Sequence, residues 1–138
     1  MMRRMNLIIV FSPGGAQVLL CRRKKPPYQG LLNFVGGKLE PGEDGFTAAY
    51  RELYEETGIT GGDIRLRHLM DFTYYMEDIL MEVYYGRLLH PVTLREEENP
   101  LLWLDAAQDY ADTTKFAGCG NMGHMISLIR HYEPGAAQ

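Results

Sequence analysis

The chain has 138 residues, a length that predicts one domain, over 1–138, with a core large enough to fold without disulfides. Hydrophobic residues make up 46% of it and charged residues 23%, as in ordinary globular proteins. The net charge of −4 argues against a protein that coats a nucleic-acid polymer. It leaves room for one small nucleotide held by local basic side chains.

Cysteine usage and hydropathy bear on the compartment. Cys21 and Cys119 are far apart and lack metal-ligand spacing, so two free thiols in a reducing compartment are predicted. The basic start at 1–4 precedes an apolar run, 7–11, that is too short for a signal peptide. No stretch approaches the roughly 20 apolar residues of a membrane span. We therefore expect a cytoplasmic protein with no membrane partner.

The first third of the chain predicts three strands. The apolar, β-branched segment 7–11 indicates a buried strand, and turn residues at 12–15 return the chain into a second strand at 17–21. A basic, proline-broken loop follows at 22–27. A short strand at 33–35 then leads into Gly36-Gly37.

Helical periodicity is clearest at 45–57 and ends at Gly58, a residue suited to a helix C-terminus. A second helix is predicted at 122–132. The residues expected on the apolar faces are, in the first helix, Phe46, Ala49, Tyr50 and Leu53, and in the second, Met122, Met125, Ile126 and Ile129.

Further strands are predicted at 66–75 and 80–88, as an antiparallel pair around 76–78, and at 101–104. Together with the helices they predict an α/β fold in which helices pack on a mixed sheet.

The first helix carries Glu52, Glu55 and Glu56, whose spacings of three and four residues place them on one face. Like charges stacked in this way repel, and a hard divalent cation relieves the repulsion. Taken alone, three glutamates are also typical of a solvated acidic face.

The neighbouring residues favour the metal interpretation. Gly36-Gly37 allows close approach of the backbone, and Lys38 places a cation beside it. Arg51 lies four residues before Glu55 and can pair with it, while Glu43 in the preceding loop is a second possible partner. A glycine turn, carboxylates and basic residues together suit a metal-bound polyphosphate.

The segment from Gly37 to Ile59 resembles the Nudix box, Gly-x5-Glu-x7-Arg-Glu-U-x-Glu-Glu-x-Gly-U, where U is bulky and aliphatic. Every specified position is filled, from Gly37 and Glu43 through Arg51 to Gly58. The resemblance implies an α/β/α sandwich with a mixed sheet. It also implies an enzyme that uses Mg²⁺, or Mn²⁺, to hydrolyse a nucleoside diphosphate linkage.

The resemblance also implies roles for individual residues. Glu55 and Glu56 are expected as principal metal ligands, and Glu52 as a further ligand or the group that orients water. A carbonyl of the glycine pair, that of Gly37 above all, is expected to contribute to the metal site. Glu43, Arg51 and Gly58 are expected to be structural.

A carboxylate outside the box helps as ligand or base in several relatives, and Glu98, shortly before an apolar strand with a tryptophan, is the candidate here. A solvated charge run is the alternative. No Ser/His/Asp or Cys/His arrangement is evident, and the histidines at 68, 90, 124 and 131 have no ligand spacing.

Similarity to MutT-like members suggests a nucleoside triphosphate, ordinary or oxidised, as substrate. Arg23 and Lys38 are then expected at phosphate and Asn33 and Asn121 at a purine base. Phe34, or an aromatic residue of 72–75, is expected as a stacking surface. Asn121 could instead cap the last helix, and Asn33 could be a polar strand-edge residue.

Three alternatives stay open: hydrolysis of ADP-ribose, hydrolysis of a dinucleoside polyphosphate, and a Nudix-fold module that senses a nucleotide without cutting it. Such modules usually lose carboxylates of the box, all of which are present here. The chain is expected to act as a monomer or homodimer.

Overall fold

The fold is seen in a computed structural model that describes residues 2–136. Within that range the strands are β1 Arg3–Phe11, β2 Gln17–Arg22, β3 Leu32–Asn33, β4 Arg67–Tyr74, β5 Ile79–Arg87 and β6 Leu101–Asp105. The helices are α1 Gly45–Thr57 and α2 Asn121–Tyr132, with a 3-10 turn at Gly118–Gly120.

The strands form one mixed sheet in the order β3-β2-β1-β5-β4, and β6 pairs with β2. β1 runs parallel to β5, whereas the other pairs are antiparallel. Beside β1, on the edge away from β5, the chain after β3 makes single bridges from Val35 to Ile8 and from Lys38 to Met5. This segment brings Gly36 and Gly37 against α1.

Two hydrophobic clusters lie on opposite faces of the sheet, one under each helix. β1 supplies both, because Ile8 and Val10 face α1 while Ile9 and Phe11 face α2. A strand buried on both faces is apolar without alternation, which explains its continuous hydrophobic run. The predicted α/β/α sandwich is therefore confirmed.

Several boundaries differ from prediction. β1 begins at Arg3, because its first residues pair with β5 although they are polar. The strand expected at 33–35 is instead Leu32–Asn33 followed by an isolated bridge at Val35. Phe46 is 41% exposed and lies against Tyr84, so its predicted place on the buried face of α1 was wrong.

Both ends of α1 are fixed by local chemistry. The Asp44 carboxylate accepts the Thr47 N–H at 3.2 Å at the start, and Gly58 ends the helix at φ 80° while donating its N–H to the Tyr54 carbonyl. The predicted end at Gly58 is confirmed. In the part of the chain described, no helix is long and apolar enough to cross a membrane.

Candidate active site

Arg51 joins the loop before α1 to the helix itself. Its guanidinium donates two parallel hydrogen bonds to the Glu43 carboxylate, at 2.7 and 2.8 Å. Its Nη1 donates to Glu52 and Glu55, each at 3.0 Å, and its Nη2 to the Lys38 carbonyl at 3.1 Å. Both predicted partners of Arg51 are therefore in contact with it. The hydrogen bonds from Arg51 hold the pKa of Glu43 at about 2.

The glycine pair packs too closely for side chains. A Cβ on Gly37 would lie 2.3 Å from the Glu52 Oε2, and a Cβ on Gly36, at φ 154°, would lie 2.1 Å from the Asn6 carbonyl oxygen. The Gly36 N–H donates to Glu56 Oε2 at 3.0 Å, and the Gly37 N–H donates to Asn6 Oδ1 at 2.9 Å. The glycines therefore allow the backbone to approach α1 closely, with the Gly36 amide on the Glu56 carboxylate and Gly37 packed against Glu52.

Two carboxylates of α1 are partly withdrawn from water. The pKa of Glu56 is raised to about 7, mainly by burial and to a smaller extent by the nearby Glu52 and Glu98 carboxylates, while the Gly36 N–H and Arg23 act to lower it. Burial likewise raises the pKa of Glu52. Glu98, although exposed, thus lies within electrostatic range of Glu56. The mutual repulsion of these groups is the kind that a cation relieves.

The oxygen donors fit a hard divalent cation, and nothing in the set favours a softer metal. Among residues 2–136, however, no three His, Cys, Asp or Glu side chains converge as ligands on one point. Arg51 holds Glu55, the Gly36 N–H holds Glu56, and the Gly37 carbonyl accepts the Asn6 N–H at 2.8 Å. Convergence of these carboxylates on one metal would therefore need their side chains to move, although each keeps lone pairs beyond those that its donor occupies.

A second layer of charged residues, which sequence reasoning missed, supports the box from β1 and β5. Arg4 Nε donates to Glu82 Oε2 at 2.8 Å, and its Nη1 donates to the Glu43 carbonyl at 2.9 Å. Glu82 is only 5% exposed, and it also accepts the Tyr84 hydroxyl at 3.2 Å. Asn6 lies opposite Glu82 in the register and is also buried, with Nδ2 lacking a partner in the described chain.

A signal for these residues existed in the sequence. Polar residues in a segment that continues a buried strand are uncommon unless they have partners. Extending the first strand back to Arg3 would have placed Arg4 and Asn6 within the sheet.

Among the predicted substrate residues, Phe34 is too deeply buried to stack on a base. It is 1% exposed and stacks on Tyr110 in the α2-side core, with ring centroids 6.4 Å apart. Neighbouring residues of an extended segment point to opposite sides, and here Phe34 points into the core while Asn33 does not. Asn33 is half-buried, and its Oδ1 accepts the Phe34 N–H at 2.9 Å.

The basic candidates lie near the box. Arg23 acts electrostatically on Glu56, and its Nε donates to the Pro27 carbonyl at 2.7 Å. Lys38 is exposed beside the glycine pair. Both predicted cations therefore lie in the neighbourhood of the box.

Asn121 is the first residue of α2 but does not cap it, because the N-cap is Gly120 and no side chain caps the helix. Its Nδ2 donates instead to the Tyr74 hydroxyl at 2.7 Å, which fixes the amide and leaves Oδ1 free to accept. Cys119, beside it, contacts the Tyr28 hydroxyl at 3.5 Å. Asn33 and Asn121 thus have separate partners.

A sheet flanked by two helices, with a loop–helix element that gathers glutamates, an arginine and a glycine pair, defines a class of hydrolases that act on phosphoanhydrides. Residues 2–111 match the family described as NUDIX domain. The chain belongs to the Nudix family.

Curated relatives resemble the chain over part of its length. It is 36% identical over 83 residues to an oxidized purine nucleoside triphosphate hydrolase of Danio rerio, covering 60% of this chain and 52% of that one. It is 44% identical over 63 residues to an RNA pyrophosphohydrolase of Haemophilus ducreyi, covering 46% of this chain and 30% of that one. The matches thus span about a third to a half of these relatives' lengths.

Solved structures share the whole fold at low identity. An Ap4A hydrolase of C. elegans superposes with a TM-score of 0.76 at 19% identity, over 96% of this chain and 98% of that one. A MutT from a structural study of the Aliivibrio salmonicida and Vibrio cholerae proteins gives a TM-score of 0.71 at 21% identity, over 96% and 100%. These likenesses establish the fold alone.

Proposed function

We propose that this protein is a divalent-metal-dependent pyrophosphohydrolase that converts a nucleoside triphosphate, with oxidised purine nucleotides as the preferred class, to the monophosphate and pyrophosphate. Mg²⁺ is the expected cofactor and Mn²⁺ the expected substitute. The observation that carries the proposal is that all the box glutamates are present at one place. Glu52 and Glu56 pack against the Gly36-Gly37 backbone, and Arg51 bonds Glu43, Glu52 and Glu55.

The residues divide the chemistry between them. Water attacks an inner phosphorus of the triphosphate. The anhydride bond that joins the monophosphate to the pyrophosphate part breaks, and the leaving group departs with the bonding pair. The water's proton passes to a carboxylate, for which Glu52 and Glu98 are the candidates. When bound at Glu52, Glu55 and Glu56, a divalent cation neutralises charge that develops on the phosphate oxygens.

Binding is assigned to the basic and amide residues around the box. Arg23 and Lys38 hold phosphates, while Asn33 and Asn121 offer amides to a purine edge. The name of the Danio rerio relative, an oxidized purine nucleoside triphosphate hydrolase, supports this substrate class. Hydrolysis of ADP-ribose or a dinucleoside polyphosphate remains the alternative.

A second candidate follows from the RNA pyrophosphohydrolase relatives, 43–44% identical over 63 residues. A triphosphate at an RNA 5′ end carries the same anhydride bonds as a free nucleotide. Such a substrate would differ from the expected partner, a small-molecule nucleotide and no nucleic-acid polymer.

A substrate panel separates these possibilities. It compares kcat/KM for 8-oxo-dGTP, dGTP, dATP, dCTP, ADP-ribose, Ap4A and a 5′-triphosphorylated RNA, with products identified in ¹⁸O-water. We expect 8-oxo-dGTP to be preferred, with pyrophosphate as the primary product. Orthophosphate as the primary product, or a clear preference for one of the last three substrates, would exclude the proposed reaction.

The role of the α1 glutamates in metal binding is tested by Glu56→Gln. The control is Glu97→Gln, which changes an exposed glutamate outside the box. Losing a carboxylate that neutralises transition-state charge should lower kcat by about 10²-fold or more. Calorimetric Mn²⁺ binding should weaken in parallel, while thermal unfolding without metal stays near wild type. Wild-type turnover in Glu56→Gln would refute the mechanism.

A further inference from the structure

A group of three arginines lies at the end of the β4–β5 pair. Ile64 bridges to Leu88, and Arg67 pairs with Tyr85 in the same antiparallel register. That register places Arg65 opposite Arg87. We call Arg65, Arg67 and Arg87 the arginine cluster.

The charges of this cluster are incompletely compensated. Arg67 pairs with Glu133 at 2.5 Å, and Arg87 donates to the Gly135 carbonyl at 2.7 Å. Among the described residues, Arg65 has no side-chain hydrogen bond. Like charges directly opposite each other on adjacent strands destabilise a sheet. Glu133 supplies one negative charge to three positive guanidinium groups, so the cluster favours the binding of an anion.

The cluster surrounds a cleft of about 550 Å³ between the strand ends and the segment after α2. This volume is in the range of small-molecule sites. Tyr85, 7% exposed, lies at its base, and burial and a hydrogen bond with Glu133 raise the pKa of its hydroxyl. The phenol has a single O–H donor, so it can donate to a ligand oxygen only in place of Glu133.

The cleft is separate from the candidate active site. Arg87 pairs with Phe11, five residues along β1 from Asn6, which is about 16 Å at the usual rise of a strand. Tyr85 also belongs to the α2-side core, whereas the box helix packs on the other face.

We propose that the arginine cluster and Tyr85 form a second anion site that binds a free inorganic oligophosphate such as pyrophosphate or tripolyphosphate. Guanidinium groups bind phosphate oxygens through paired hydrogen bonds, and several groups are needed to match several phosphates. Orthophosphate can engage fewer of them at once. Glu133 acts as an internal competitor, because it occupies Arg67 when the ligand is absent.

The test is calorimetric titration of tripolyphosphate into the full chain at low salt with EDTA, which removes metal-dependent binding at the box. Three variants are compared with wild type: Arg65→Gln/Arg87→Gln, Glu133→Gln, and Arg3→Gln as an exposed strand arginine outside the cluster. We expect binding about tenfold weaker in the double variant and about threefold tighter in Glu133→Gln, because charge-assisted hydrogen bonds are removed or released. Arg3→Gln should bind as wild type does.

Thermal unfolding of each variant without ligand confirms that it is folded. The double variant should unfold at the same temperature as wild type or higher, since a like-charge pair is removed. The site would be disproved if the folded double variant bound tripolyphosphate as tightly as wild type, or if Arg3→Gln weakened binding equally.

Discussion

Replacing Gly37 by alanine should lower the catalytic rate strongly and the stability only slightly. Its Cβ would lie 2.3 Å from Glu52 Oε2, whereas ordinary contact begins at 3.4 Å, so the carboxylate must move by about 1.1 Å. The atom that moves is the end of a flexible side chain, and we expect the free energy of unfolding to fall by less than about 1 kcal/mol. A misplacement of about 1 Å in a reacting group can lower the rate about 10²-fold.

Replacing the neighbouring Gly36 by alanine should instead lower the stability strongly. Its Cβ would lie 2.1 Å from the backbone oxygen of Asn6, and its φ of 154° is strained for any side chain. Backbone strain alone costs about 1–3 kcal/mol, and β1 must also move, so we expect destabilisation of about 3 kcal/mol or more.

The assay measures kcat with Mg²⁺ and denaturant unfolding without metal for both variants. Gly14→Ala serves as control, because its Cβ would meet nothing within 4 Å. Wild-type kcat in Gly37→Ala, or a loss of stability equal to that of Gly36→Ala, would contradict this prediction.

Two further predictions concern the region around α2 and the thiols. Asn121→Ala should lower the preference among purine triphosphates by about tenfold or more while general activity falls less. The reason is that an amide covered by one base that matches it is left unpaired under another. Tyr74→Phe should give a smaller loss, since it frees the amide without removing it; unchanged kcat/KM ratios in both variants would make Asn121 structural. Iodoacetamide at pH 8 should alkylate exposed Cys119 but not Cys21, because burial raises the pKa of the Cys21 thiol to about 12; peptide mapping that shows equal labelling in the native protein would contradict this.

The local sequence determined the box and the regular elements. The spacing of Glu52, Glu55 and Glu56 follows from the helical repeat, and Arg51 reaches Glu55 because they lie one turn apart. Gly58 ended α1 as predicted, since a left-handed residue terminates a helix by short-range geometry. These features depend on contacts within a few residues, which the sequence displays directly.

Tertiary packing decided which side chains face the core. Phe34 was expected at the substrate by similarity and Phe46 on the buried face of α1 by periodicity. Instead, Phe34 is buried against Tyr110 and Phe46 is exposed over Tyr84. An isolated hydrophobic residue does not reveal which face its strand or helix turns inward. That depends on the layers above and below, which form from distant parts of the chain.

The charged support of the box also depended on the tertiary structure. Arg4 and Glu82 are 78 residues apart and meet only because β1 and β5 run parallel in one register. Arg65 and Arg87 differ in this respect, because they face each other across the β4–β5 hairpin, an antiparallel pair that the sequence predicted. Sequence spacing encodes contacts along one helix or hairpin, whereas pairing between distant strands is selected by burial of the whole sheet, and only the folded chain shows it.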